Sequence, residues 1–466
     1  LLRIIIRSVC LCVCVAVSSV VVTACGGGAP GAAAYAPPYR QPGSGSGSSK
    51  IQHVVLIVQE NRTFNDLFAT FPNAIGTTVG KMRKKGKTVS VNLTEQNLES
   101  TKTLDHVYSG YLTAYRNGNM DAFNLIRFQT NGKLEGTQPY QYVNPNQIQP
   151  YWTMASSYGL ADEMFQTQGS GSFVAHQDLI RGGTAIDSSD SLIDDPTSNA
   201  AWGCGSPPGT KTSLITTSLK YLTAQGPFPC TTKFPSSGSY PTLQDVLDAK
   251  SVSWKYYTPS AGKGSVGALW NAFLVISAVY NNQNEFKAHI SSPETNIFGD
   301  ITGGTLPAMS WVIPDAQNSD HPGYSSQDTG PSWVASVVNA VGQSPYWNST
   351  AVIVVWDDWG GFYDPVQPPS LDNQGGPGFR VPMIVISPYV PQNEISNTVY
   401  EFGSIIRFIE DTFSLGRLGT TDGSSTSMSD MLNFSQSPRQ FQNIPSSFSR
   451  SYFLRQKPSG LPVDTE

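Results

Sequence analysis

Four unbroken apolar runs decide what this chain can fold into. They are HVVLIV (53–58), AMSWVIP (308–314), AVIVVW (351–356) and VPMIVIS (381–387). Each is rich in valine or isoleucine and is bounded by polar, Gly or Pro residues. Continuous rather than alternating apolarity means strands buried on both faces, hence a parallel sheet covered by helices. Helix-like stretches lie between them: PTLQDVLDAK (241–250), PSWVASVVNAVG (331–342) and EFGSIIRFIEDTF (401–413). The expected fold is therefore a three-layer α/β/α sandwich with a mainly parallel central sheet, occupying residues 51–445. Residues 185–240 are rich in Ser, Pro, Gly and Thr and read as a loop-rich insertion or lid. Residues 446–466 read as a weakly structured tail.

The N-terminal segment has a different grammar. Arg3 and Arg7 precede a long apolar run that ends in small residues, the pattern of a secretory signal over 1–24. Val22-Thr23-Ala24-Cys25 resembles a bacterial lipobox, in which the cysteine is lipidated. Ordinary cleavage, with Cys25 incidental, is the alternative. Residues 25–50 are Gly/Ala/Pro/Ser-rich and read as a flexible tether. The expected location is extracytoplasmic, as an envelope lipoprotein or a secreted protein. Of six cysteines, only Cys204 and Cys230 lie beyond the signal boundary. In an oxidising compartment they are expected to pair, contributing about 3 kcal/mol. A net charge of −5 argues against a nucleic-acid partner. The one basic run, KMRKKGK (81–87), reads as a solvated β-turn.

Two of the apolar runs end in acids. VVLIVQEN gives Glu60-Asn61, and AVIVVWDDWGG gives Asp357-Asp358. Ligands of open α/β sheets bind beyond the carboxyl ends of the strands. Three carboxylates and an amide there make an oxygen-rich site for a hard cation, with plain strand-end turn chemistry as the alternative. Adjacent carboxylates repel, so something cationic belongs among them. In GSGSFVAHQDLIRGG, Ser172 opens a helix-like stretch. It is either an N-cap or a nucleophile placed where phosphate oxygens are attracted. The surroundings are not the G-x-S-x-G elbow of α/β-hydrolases. Among five histidines, His53 and His289 read as structural. His106 and His321 sit in polar loops and are the candidates for phosphoryl contact or leaving-group protonation. His176 lies one helical turn beyond Ser172, on the same face.

The segments IQHVVLIVQENRTFNDLF, GLADEMFQTQGSGSF, SWVIPDAQNSDHPG, STAVIVVWDDWGGFYD and GFRVPMIVISPYV are similar to those of the bacterial phosphoesterase family of phospholipases C and acid phosphatases. That family belongs to the alkaline phosphatase superfamily. The resemblance implies one divalent metal ion held by Glu60, Asn61, Ser172, Asp357 and Asp358. It implies Ser172 as a transiently phosphorylated nucleophile, assisted by His106 and His321. It also implies a phosphate-ester substrate, either a phospholipid head group or a small phosphomonoester. Two positions often His in the family are Trp359 and Pro365 here, and His176 stands where Asn or Arg is expected. Phospholipase C-like hydrolysis is the favoured expectation, with acid phosphatase action and a non-catalytic envelope-binding role as alternatives. No C/S-x-P-x-R segment follows Gly171, which argues against a sulfatase.

Overall fold

The computed structural model describes residues 50–197, 203–227, 230, 240–260, 270–369 and 372–461. The expected signal and tether lie outside them. Among the described residues, no helix is long and apolar enough to cross a membrane.

The centre is an eight-stranded sheet. In chain order its strands are β1 (His53–Gln59), β2 (Gly159–Ala161), β3 (Trp254–Tyr257), β4 (Ile290–Ser291), β5 (Met309–Val312), β6 (Thr350–Trp356), β7 (Met383–Ile386) and β8 (Glu394–Ser396). Their spatial order is β4-β3-β5-β1-β6-β7-β2-β8. All four apolar runs are strands. β1 and β6 lie side by side at the middle, and every residue of both is buried.

The mainly parallel sheet is as expected, with one exception. β7 is antiparallel to both β6 and β2. Unbroken apolarity reports burial on both faces and is silent on direction. Here the described residues between β6 and β7, 357–369 and 372–382, include no crossover helix, and the next strand runs backwards. The strands at 159–161, 254–257, 290–291 and 394–396 were not legible as runs, being two to four residues long.

Four helices bear on the site: α1 (Gln149–Ser157), α2 (Ser172–Arg181), α3 (Thr329–Gly342) and α4 (Phe402–Phe413). α1 packs on α3, and α2 packs on α4. On α4, Phe402, Ile405, Ile406 and Ile409 form the buried i, i+3, i+4, i+7 stripe of an amphipathic helix. The two helix pairs cover opposite faces of the sheet. Tyr151 of α1 packs edge-on against Trp356 at 4.8 Å, whereas the Trp311 indole donates to the Leu179 carbonyl of α2 at 3.1 Å. Trp356 is in register with Gln59, and Trp311 with Leu56. Side chains alternate along a strand, so Gln59 and Trp356 face α1, and the next residues, Glu60 and Asp357, face α2.

Residues 190–222 carry an antiparallel sheet of their own: Asp190–Ile193, Ser213–Thr216 and Tyr221–Leu222. Cys204 and Cys230 are disulfide-bonded, as expected. The basic run forms a hairpin, Val79–Lys84 with Lys87–Asn92, turning at Lys85 and Gly86, both with positive φ. In the tail, Phe453 is buried against Trp333 of α3.

The loop after β6 is held by a fully buried arginine. Arg380 Nε and Nη2 donate to the two Asp364 carboxylate oxygens at 2.9 and 3.1 Å. Arg380 Nη1 donates to the Asp162 carbonyl at 2.8 Å, beside β2. Removing one partner of a buried ion pair leaves an uncompensated charge. Arg380→Ala is therefore expected to lower unfolding free energy by about 3–5 kcal/mol. Urea denaturation followed by circular dichroism measures this, and an unchanged midpoint would show that the pair does not hold the loop.

Candidate active site

The polar cluster that ends β1 divides its work by direction. Gln59 Nε2 donates to Tyr151 Oη at 2.9 Å, on the α1 side. Arg62 Nη2 donates to the Asp320 carbonyl at 2.7 Å, and its Nη1 pairs with Asp66 at 3.0 Å. Between them, Glu60 and Asn61 meet Asp357 and Asp358 from the end of β6. Asp357 N–H donates to the Gln59 carbonyl at 2.9 Å, so the two strand ends are bonded at this point.

Asn61 lies in the left-handed region at φ 51°, which asparagine tolerates better than most residues. Its backbone N–H donates to Asp357 Oδ1 at 2.9 Å. Gly360 closes over it at φ 58°, where an added Cβ would stand 2.2 Å from the Asn61 carbonyl oxygen. Only glycine fits both constraints. Gly360 N–H in turn donates to Asp358 Oδ1 at 2.8 Å.

α2 presents its N-terminus to these acids. Gly171 is the N-cap, and the Ser172 side chain makes no capping bond. The N-cap expectation for Ser172 is thus corrected. Its hydroxyl donates instead to Asp358 Oδ2 at 3.0 Å and lies 3.5 Å from Glu60 Oε2. Asn61 Nδ2 donates to Ser172 Oγ at 3.2 Å and to Asp358 Oδ2 at 3.2 Å.

His106 enters from its own loop. Its Nδ1 lies 2.7 Å from the Leu104 carbonyl, which can only accept, so the neutral ring carries its proton there. Nε2 then offers a lone pair, accepts from Asn61 Nδ2 at 2.8 Å and lies 3.6 Å from Asp358 Oδ2. Trp359 is buried, and its indole N–H donates to the His106 carbonyl at 3.1 Å. The tryptophan at this departure from the family pattern therefore anchors the histidine loop.

His321 is brought near through the backbone, because Glu60 N–H donates to the Ser319 carbonyl at 2.8 Å. Its own ring donates from Nδ1 to the Pro322 carbonyl at 2.8 Å and stacks on Tyr324 at 4.7 Å. Six of the seven predicted residues, all but His321, thus form one connected network. The described contacts of His321 lie beside it.

His176 belongs to the group more fully than its sequence position suggested. Its Nε2 lies 3.0 Å from Glu60 Oε1 and 3.8 Å from Asp357 Oδ2. Glu60, His176 and Asp357 each bring a ligand atom within 4.8 Å of the others. The signal in the sequence was its i+4 spacing from Ser172.

The electrostatics call for a cation. Glu60, Asp357 and Asp358 are fully buried, and no lysine or arginine pairs with them among the described residues. Burial, and then the Asp357 charge, push both Glu60 and Asp358 well above the usual carboxylate range. Burial pushes His176 down to about 4, so its ring is neutral. Asn61 Oδ1 and Asp357 Oδ2 are buried acceptors without a hydrogen bond. Orphaned acceptors facing clustered carboxylates are what a divalent cation satisfies.

A model of the Phosphoesterase family matches residues 51–416. The non-hemolytic phospholipase C of Pseudomonas aeruginosa is 24% identical over 413 residues, 78% of this chain and 54% of that protein. Phospholipase C B of Mycobacterium tuberculosis is 27% identical over 239 residues, 43% of this chain and 44% of that protein. The chain spans about half the length of these curated relatives. A solved protein of the alkaline phosphatase superfamily from Vibrio parahaemolyticus aligns over 82% of this chain and 72% of its own, at 10% identity and TM-score 0.37. With a family model covering most of its length, this chain belongs to the Phosphoesterase family.

Proposed function

We propose that this protein hydrolyses phosphate esters of the phospholipase C type through a phosphoserine at Ser172. The observation that carries the reading is the Ser172 hydroxyl, freed from helix capping and donating to Asp358 Oδ2 at 3.0 Å. The relatives named phospholipase C support the substrate class.

Ser172 Oγ attacks phosphorus while its proton passes to the Asp358 carboxylate. The P–O bond to the leaving group breaks, and a histidine protonates the departing oxygen. His106 is the first choice: its Nε2 lone pair lies 3.6 Å from Asp358 Oδ2, takes up the serine's proton from that carboxylate and passes it to the departing oxygen. His321 is assigned to the phosphoryl oxygens. Water then attacks the phosphoserine and restores Ser172. The α2 N-terminus contributes its partial positive charge. Glu60, Asn61, Asp357 and Asp358, with Ser172, would hold one divalent cation, which supplies charge stabilisation for the serine oxygen and a phosphoryl oxygen. Asn61 keeps Ser172, His106 and Asp358 in mutual register through its one NH₂ group.

A cavity of about 470 Å³ is lined by Val107, the residue after His106, with Ser109, Asp194, Asp195 and Tyr221. Asp195 Oδ1 accepts from Phe173 N–H at 3.2 Å, which ties this cavity's wall to the nucleophile helix. The disulfide supports an extracytoplasmic location. Attachment to a membrane through Cys25 remains part of the proposal.

Hydrolysis of p-nitrophenyl phosphate and p-nitrophenylphosphorylcholine, with and without chelator, tests the reading. Chelator-sensitive turnover is expected, with the phosphodiester preferred; a preference for the monoester would favour acid phosphatase action. Ser172→Ala is expected to lower kcat by at least about 10³-fold. Full activity in that variant would refute the phosphoserine. His106→Asn is expected to slow esters with poor leaving groups far more than those with good ones. An equal loss on both would remove the leaving-group role.

A further inference from the structure

We propose that His176 is a nitrogen ligand of the metal centre, making it a mixed N/O site that favours borderline transition metals over Ca²⁺ and Mg²⁺. This rests on the metal-dependent reading above and departs from the oxygen-only ligand set that the sequence implied.

Three observations carry it. His176 is i+4 from Ser172 on α2, so the helix that delivers the hydroxyl also delivers an imidazole to the same place. His176 Nε2 is 3.0 Å from Glu60 Oε1 and 3.8 Å from Asp357 Oδ2. Six ligands around one ion with bonds near 2.0–2.2 Å stand about 3.0 Å apart when adjacent and about 4.2 Å when opposite. The separation from Glu60 Oε1 meets the first value, and that from Asp357 Oδ2 falls between the two. Asp357 Oδ2 is a fully buried carboxylate oxygen with no hydrogen bond, on the side facing His176. A histidine held here only by its hydrogen bond to Glu60 Oε1 would leave that oxygen without a partner.

The consequence concerns metal choice. Hard cations are bound through oxygen and gain little from imidazole, whereas Zn²⁺ and the later first-row ions such as Co²⁺ accept it readily. Asparagine or arginine, the residues the resemblance leads one to expect at this position, would bring no imidazole nitrogen to the site.

The test titrates metal-stripped purified protein with Zn²⁺, Co²⁺, Ca²⁺ and Mg²⁺ by calorimetry, and records the Co²⁺ absorption spectrum, for wild type and His176→Asn. The proposal expects the variant to lose at least about tenfold in Zn²⁺ and Co²⁺ affinity, with an altered Co²⁺ spectrum and unchanged Ca²⁺ and Mg²⁺ affinity. Unchanged Zn²⁺ and Co²⁺ affinity and spectrum, or an equal loss for all four cations, would overturn His176 ligation while leaving a metal site standing. No binding of any cation to folded wild type would overturn the metal reading itself. Should His176→Asn not fold, electron spin-echo modulation of Mn²⁺-loaded wild type and His106→Asn decides. Nitrogen modulation that persists without His106 supports the proposal, and its absence from both proteins overturns it.

Discussion

Repulsion among buried carboxylates is the constraint on which the rest of this structure depends. The in-phase pairing of β1 and β6 puts Gln59 beside Trp356, and the next residues must then put Glu60 beside Asp357. Asp358 follows immediately. Three acids that are fully buried cost several kcal/mol each unless compensated. The fold does not separate them. It holds them together with backbone donors, the Asn61 amide, the Ser172 hydroxyl and two histidines. Such an arrangement is stable when a cation completes it, and that same arrangement leaves a serine oxygen at the helix terminus.

The surrounding architecture serves that point. α2 brings Ser172 and His176 on one face, and the Arg380 clamp holds the loop after β6 through Asp364. Gly360 lets that loop pass close over Asn61. Trp359 illustrates how one side chain can replace another at a site without taking its chemistry. Its indole cannot contact phosphate as imidazole would, but it fixes the carbonyl of His106, whose Nε2 accepts from Asn61 Nδ2. Pro365 is half-buried beside Asp364, whose carboxylate is committed to Arg380.

Much of this was legible in the sequence, because burial leaves a compositional trace. The four central strands are unbroken apolar runs, and the acids stand out by terminating two of them. What escaped did so for physical reasons. The reversed direction of Met383–Ile386 depends on how residues 357–382 return, which apolarity does not encode. The strands of two to four residues are too short to show a period. The residues around Ser172 left N-cap and nucleophile both open because serine is favoured at caps; the preceding Gly171 takes that position and frees the hydroxyl. His176 was visible as a helical neighbour of Ser172, but its meeting with Asp357 is a tertiary contact across the sheet end.

The claim at the centre is that the acid cluster activates Ser172 to accept the phosphoryl group. The most direct measurement is acid quenching of the enzyme during turnover of a phosphorus-labelled ester, followed by mass spectrometry of its peptides. The account predicts one phosphoryl group on the peptide containing Ser172, appearing within the first turnover and disappearing as substrate is exhausted. Turnover with no label on protein, or with label on another residue, would contradict it.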